Sequence, residues 1–407
     1  MKRIFPLCLA WLMLLSAPAP ASQRTLTLEE AVTLALKNNP RLLQAEQDVE
    51  SARGRRLQLE SPPNPALVFS REGLGGKSPA GESEINLGIQ QVVEFPGKRA
   101  LRRLVGALGE DVSRLDLERL RVRTTAEVEA AYWNAVYAQE ARRSLEAVDG
   151  ILKNYLDLAR EKYRYGQAAY LDVLRGEVES LKIRNEMLEA GRDHRDKMAA
   201  LSLLLGRDED EDTLLTSGLS FVEPAQTFDR LLQEVDQFPG IRLAAAELKQ
   251  AEAALDLARR SAFPDLEVGL FYPSQRASAW GFEVGLEIPL WRKKSQGEVL
   301  EATARSQWTR ISMEAARLRR RAALRRIFSD LRAAEQQIRL FEQGLLKDVE
   351  DAWQTGLAEY QYGRTDSLSL LDIYRSYKET KREYLRTLLN YNLSLAEINV
   401  AGESATE

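Results

Sequence analysis

Few side chains in this sequence of 407 residues suit nucleophilic or metal chemistry. There is one histidine, His194, and one cysteine, Cys8. A Cys/His zinc centre needs three or four ligands and a disulfide needs two cysteines, so neither is available. A Ser-His-Asp arrangement would have to use His194. That residue lies in the charge-rich stretch Arg192-Asp193-His194-Arg195-Asp196 and reads as a surface residue. Met187, Met198 and Met313 are too scattered to form a soft-metal relay. What remains is charge. Asp172 and Asp372 each follow a Tyr-x-Tyr-Gly motif, Tyr163-Arg164-Tyr165-Gly166 and Tyr360-Gln361-Tyr362-Gly363. By themselves such carboxylates cap or solvate the helices they start. The basic run Arg317, Arg319, Arg320, Arg321, Arg325 and Arg326 is interleaved with Leu318, Ala322, Leu324 and Ile327, and reads as a solvated helix face. With 57 Lys+Arg against 61 Asp+Glu, the net charge of −4 does not describe a nucleic-acid binder. No convergent catalytic or cofactor site is visible, so the expectation is a protein that is not an enzyme and carries no cofactor.

Hydrophobic residues at 44% and only 14 prolines exclude a disordered chain. Lys2 and Arg3, the apolar stretch 4–17 and Ala19-Pro20-Ala21 have the form of a signal peptide over 1–21, with Ser22 as the mature start. Cleavage removes Cys8 and two basic residues, leaving 55 basic against 61 acidic side chains, a net −6. No later apolar run approaches the ~20 residues of a spanning helix. The exported chain is therefore expected in the periplasm, outside the cell, or in an outer membrane as β-strands.

The chain repeats itself. Asn39-Pro40 recurs as Phe238-Pro239, Pro65 as Pro264, Glu94-Phe95-Pro96 as Glu287-Ile288-Pro289, and Tyr163–Gly166 as Tyr360–Gly363. Leu171 and Leu174 recur as Leu368 and Leu371. The repeats are placed at 22–206 and 225–407, separated by an acidic linker, 207–224, containing Asp208-Glu209-Asp210-Glu211-Asp212. A period this long signals duplication of a whole unit rather than a short-repeat solenoid.

Each unit reads as helix, two strands, long helix, helix. Thr27 with Glu29 and Glu30 starts a helix that breaks near Pro40 and stops at Ser61-Pro62-Pro63. Period-two alternation predicts strands over 66–72 and 84–94, and again over 265–273 and 280–290. From Lys98 to Arg164 there is no proline, and Leu101, Leu104, Leu108, Val112 and Leu115 step as a coiled-coil seam does. Such a helix would be about 100 Å long. It is expected to recur from about Lys294 to Tyr362, with return helices near 169–205 and 367–402. Gly166 and Gly363 suit helix C-caps.

Two such units behind a signal peptide resemble the TolC-type outer-membrane efflux channels. The resemblance covers nearly the whole mature chain and is carried by the two tips, Tyr163–Leu174 and Tyr360–Asp372. It is also carried by the strand exit Phe95-Pro96-Gly97-Lys98-Arg99, whose Gly-Lys-Arg resembles the outer-membrane subunits of heavy-metal efflux systems. The resemblance implies a mostly α homotrimer in the outer membrane. Duplicated coiled-coil hairpins would form a periplasmic tunnel, and four strands per chain would enter a shared transmembrane β-barrel. It implies a periplasmic adaptor and an inner-membrane pump as partners, with metal cations as one cargo. It places Asp172 and Asp372 at the tunnel's periplasmic mouth as an acidic ring and Tyr360 in its closing contacts, with Arg364 read into the same gate. Exposed loops joining long helices are the natural end-on contact, so Tyr163, Tyr165, Gly166, Tyr362 and Gly363 are expected to be adaptor-docking tips. The family's multidrug members carry an arginine two residues after the tip glycine. Here that position is Thr365, preceded by Arg364.

The strand count points the same way. An open sheet edge cannot face lipid. Four strands cannot close, eight give a filled interior, and twelve leave a lumen. Glu283 and Glu287, alternating with Gly281 and Gly285, suit a wet interior, and the apolar series suits lipid. The competing readings are a periplasmic coiled-coil adaptor or structural protein without a channel, and a duct for protein secretion. An adaptor would carry one hairpin flanked by compact β-domains, whereas this chain has two hairpins, each preceded by a strand pair.

Overall fold

The computed structural model describes residues 24–72, 84–207, 213–224, 227–273, 280–287 and 291–403. The expected leader at 1–21, the acidic run Asp208–Asp212 and the end of the fourth strand beyond Glu287 lie outside the described residues.

The elements follow the duplicated order. A short strand β1 (Thr25–Leu26) precedes α1 (Leu28–Asn38), which Thr27 opens with a capping box: its side chain accepts the Glu30 N–H while the Glu30 carboxylate accepts its own. Pro40 then starts α2 (Pro40–Glu60), with Asn39 as N-cap. Next come β2 (Ala66–Glu72), β3 (Glu84–Val93), α3 (Lys98–Arg164) and α4 (Tyr170–Leu205). β4 (Leu214–Leu215), α5 (Phe228–Gln233) and a 3₁₀ turn lead into the second copy, in which Pro239 opens α6 (Pro239–Ser261) as Pro40 opens α2. It continues with β5 (Leu266–Pro273), β6 (Gly281–Leu286), α7 (Arg292–Leu340), α8 (Leu346–Gln361) and α9 (Ser367–Glu403).

Several expectations are corrected. The second long helix is not continuous: a π-helical turn at Phe341–Leu345 separates α7 from α8, where Gly344 has extended backbone (φ 174°). Phe341 is buried there beside Tyr384, whose hydroxyl bonds Glu342. The wide turn re-aims the helix so that Phe341 reaches α9. The leucine seam of α3 is only partly covered, and Leu104 is exposed. The sealed positions in this stretch are instead Gly106, which lets the Arg56 backbone of α2 approach, and Glu110, paired with Arg56 and Arg114. His194 is buried, in line with Met198, Leu201 and Leu205 on the inner face of α4. The charged neighbours that suggested a surface lie on the other face. Within the basic run, Arg320 turns inward over the Phe238 ring while Arg319, Arg321, Arg325 and Arg326 stay exposed. β6 is shorter than expected, since Trp280 and Glu287 lie outside it.

The helices form a layer with α3 as its spine. Along one half α3 packs between α2 and α6, and α6 against α7. Along the other half α3 packs against α4 and α9, and α9 against α8. Apolar burial is divided among three clusters, one at the tips and one in each copy where loops lean on the helices. In those lateral clusters β1 pairs in parallel with β4, and the Tyr132 and Tyr391 hydroxyls reach the Leu26 and Val222 carbonyls.

Strands β2-β3-β5-β6 form one antiparallel sheet in that order. Its register aligns Leu67, Ile89, Leu270 and Phe282 in one row, and Phe69, Leu87 and Tyr272 in the next. These apolar rows are open: Leu67 is 79% and Phe282 76% exposed. The opposite face carries Ser70, Asn86, Gln90, Glu267 and Glu283, with Gln90 bonded to Glu267. Edges β2 and β6 have no partner among the described residues.

Strand gives way to helix at the Phe95–Arg99 motif. Gly97 adopts φ 94°, open to glycine with little strain. The turn buries Lys98, whose Nζ donates to the Phe263 carbonyl at 2.6 Å and to Asp265 Oδ1 at 2.8 Å. The same carboxylate accepts the Phe95 N–H, and the Phe95 and Phe263 rings stack at 4.7 Å under Arg260. The motif therefore locks the exit of β3 to the entrance of β5.

Candidate functional site

The two tips lie side by side, packed through the cluster of Leu152, Tyr155, Val173, Trp353, Tyr360, Leu370 and Tyr374. Their turns are copies. Gly166 (φ 71°) lets the Gln167 N–H return to the Lys162 carbonyl, and Gly363 (φ 73°) lets Arg364 return to Glu359, both at 2.8 Å. Nothing lies within 4 Å of a Cβ built on either glycine. Tyr165 and Tyr362 project into solvent, and Tyr163, half exposed, meets Tyr170 with rings tilted and 5.5 Å apart. Arg364 is exposed.

The helices beyond the turns begin differently. In the first hairpin the Asp172 carboxylate reaches back to the Ala169 N–H at 3.2 Å and lies 3.5 Å from Arg175. In the second, Asp366 accepts both the N–H and the hydroxyl of Ser369, and those bonds hold its carboxyl below the usual range. Asp372 caps nothing; it is exposed and pairs with Arg375 at 3.0 Å. The two aspartates singled out in the sequence lie in the first turns of α4 and α9, and play different roles in them.

Several polar contacts join the hairpins to each other. Lys162 is buried, donating to the Tyr360 carbonyl at 2.5 Å and the Gln361 carbonyl at 3.1 Å, with its ammonium 5.0 Å from the Tyr360 ring centre. A cation of one hairpin thus occupies the negative end of α8 in the other. The Tyr155 hydroxyl meets Ser367 Oγ at 2.6 Å and the Asp172 carbonyl at 3.1 Å. Tyr360 lies 5.5 Å from the Tyr155 ring, and burial raises the pKa of both phenols. Buried Glu179 accepts Arg375 Nη2 at 2.5 Å and Lys182 at 3.2 Å. Desolvation opposes its charge, yet these bonds prevail and hold its pKa low. Glu186 pairs with Lys378 at 2.7 Å.

The structure thus brings Tyr360 into the joint, leaves Tyr163, Tyr165, Tyr362 and Arg364 at its surface, and separates Asp172 from Asp372 in environment. Sequence reasoning missed Lys162, Tyr155, Ser367, Glu179 and Arg375. A cation in the last turn of α3 was a legible signal for Lys162. The others meet across 196 to 212 residues of chain. The outer face of α4 carries a further feature. Leu171, Leu174, Val178, Leu181 and Leu188 follow heptad spacing and are all exposed.

Duplicated long hairpins and an open sheet with one apolar face are the architecture of an outer-membrane channel subunit. The chain belongs to the outer membrane efflux protein family, whose model matches residues 31–207 and 233–401. It is an exit duct of the outer membrane with a large periplasmic portion, and its family is one of channels. Among characterised relatives it is 23% identical over 365 residues to the cobalt-zinc-cadmium resistance protein CzcC of Cupriavidus metallidurans, covering 89% of this chain and 86% of that one. It is 25% identical over 346 residues to protein CyaE of Bordetella pertussis, covering 78% and 72%. Its fold matches the solved structure of CusC with a TM-score of 0.79 at 19% identity, over 92% of this chain and 91% of that one. The outer-membrane channel OprN matches with a TM-score of 0.80, also at 19% identity, over 92% and 89%.

Proposed function

We propose that three copies of this chain form the exit duct of a tripartite efflux system. The duct receives divalent metal cations from a periplasmic adaptor and an inner-membrane pump. The observation that carries this reading is the sheet: four strands, two open edges and one apolar face. Its edges must pair before it can face lipid, and three copies give the smallest barrel with a lumen. The exposed heptad face of α4 supports the same conclusion, since it too needs a neighbour. The metal cargo rests on the likeness to CzcC and on carboxylates at the tip.

In this reading the tips are both gate and docking surface. Tyr163, Tyr165, Gly166, Tyr362 and Gly363 meet the adaptor. Asp172 and Asp372 of three chains converge as six carboxylates that favour cations. Opening parts the joint around Tyr360, and Arg364 lies beside it. An adaptor drives this only by binding the open state more tightly than the closed one. Native mass spectrometry in detergent should give a trimer; a monomer or dimer sinks the duct geometry. In planar bilayers under a salt gradient, Asp172→Ala with Asp372→Ala should move the reversal potential toward zero. An unchanged potential removes the acidic ring and leaves the helix-capping role alone.

A further inference from the structure

A cavity of about 530 Å³ opens between α3 and α7, where α6 begins and α9 nears its end. Its walls combine apolar side chains with four arginines, Arg119, Arg123, Arg319 and Arg320, and one carboxylate, Glu397. Three of these charges have partners: Arg119 pairs with Asp116, Arg123 with Glu127, and Glu397 with Arg326. Arg319 and Arg320 have no ion pair or hydrogen bond among the described residues. The Arg320 guanidinium carbon lies 4.1 Å from the Phe238 ring centre, and its Nε is buried without a partner. Burial lowers its pKa, and the Glu397 carboxylate across the cavity offsets that only in part, without pairing with it. Beside it, α6 starts at Pro239 without a side-chain cap, and open space surrounds Gly240.

We propose that this cavity binds an amphiphilic anion. Its carboxylate, sulfonate or phosphate head would be held by Arg319 and Arg320, and its apolar body would rest on Val122, Ala126, Ile241 and Ala323. A planar guanidinium matches such a head through paired N–H donors. The first turn of α6 adds a favourable dipole to the same spot. Four arginines against one carboxylate disfavour a metal cation here, so the site is separate from the cargo path argued above. The competing account is that the two arginines merely neutralise the C-terminal end of α9, where Glu397 lies.

Isothermal titration of the full-length protein in a non-ionic detergent, with naphthalene-2-sulfonate as probe, decides between them. The expected result is saturable binding of one probe per chain, above the detergent blank. It should weaken about tenfold in Arg319→Gln and in Arg320→Gln, and equally when the neutral naphthalene-2-sulfonamide replaces the anion. Ala323→Leu, which fills the cavity and keeps the charges, should also weaken it. Arg319 is exposed, so its replacement tests the charge without disturbing packing. Equal binding of the neutral analogue, or unchanged binding in Arg319→Gln, overturns the anion site. Absence of saturable binding overturns it as well, leaving the arginines to α9.

Discussion

In the first hairpin an unbroken α3 of 67 residues runs against α4, whose outer face shows Leu171, Leu174, Val178, Leu181 and Leu188. In the second hairpin the outgoing helix bends at Phe341–Leu345, and the matching positions of α9 are Leu368, Leu371, Arg375, Lys378 and Leu385. Arg375 and Lys378 are already engaged, by Glu179 and Glu186 of the first hairpin. One hairpin therefore meets its polar needs inside the chain, while the other leaves an apolar seam outside it. Duplication supplied one backbone plan, and substitution made its two copies unlike. Unlike edges join head to tail and close rings, whereas like edges pair as twofold dimers.

The largest test of this contrast is at the seam. Leu174→Glu with Leu181→Glu places two charges where an apolar partner is needed, and fully burying each leucine is worth about 1.5–3 kcal/mol. Trimers should be lost in native mass spectrometry, while Arg382→Glu on α9 leaves them intact. Equal effects would erase the distinction between the hairpins.

Next is Lys162→Met, which strips the cation from the Tyr360 and Gln361 carbonyls. Uncapping buried carbonyls costs about 1–3 kcal/mol, and resting conductance in planar bilayers should rise. The repeat mate of Lys162 is Glu359, which makes no such contact, so Glu359→Gln should leave conductance unchanged.

Acid should act on the same joint. The folded-state pKa of Glu179 is depressed, so its contribution is complete above the ordinary glutamate pKa and disappears as pH falls through the lower folded value. Thermal stability of the tips should decline below about pH 4.5, and Glu179→Gln should flatten that decline. An unaltered profile would assign the acid sensitivity elsewhere.

The smallest effect separates the aspartates. Losing the Asp172 cap should cost about 1 kcal/mol, while Asp372→Asn, at an exposed ion pair, should stay within about 0.5 kcal/mol. Unfolding midpoints of the two single variants measure the difference.

What could be read from sequence was whatever repeats locally. Helix α3 declared its ends, because proline is absent between Pro96 and the tip and Gly166 caps it. The strands declared themselves by alternation. The π-turn did not: Gly344 disturbs its helix, yet Gly150 in α3 stays helical, so glycine alone does not distinguish them. The β1–β4 pairing joins residues 189 apart and left no local trace. His194 was masked by its charged neighbours, although Met198, Leu201 and Leu205 continue its face. At the tips the glycines and Tyr360 were legible as motif. Lys162 and Glu179 matter only because another hairpin packs on them.

The central ladder of the sheet has its own implication for how the molecule comes together. β2–β3 and β5–β6 are local hairpins, whereas β3–β5 joins Gln90 to Gly269 across the whole first helical hairpin. Closing so long a loop is slow. The two strand pairs are therefore expected to form early as separate ribbons, and to merge only after both helical arms have docked. Lys98 and Asp265 meet across that last ladder, so their salt bridge should mark the late step at which two ribbons become one wall.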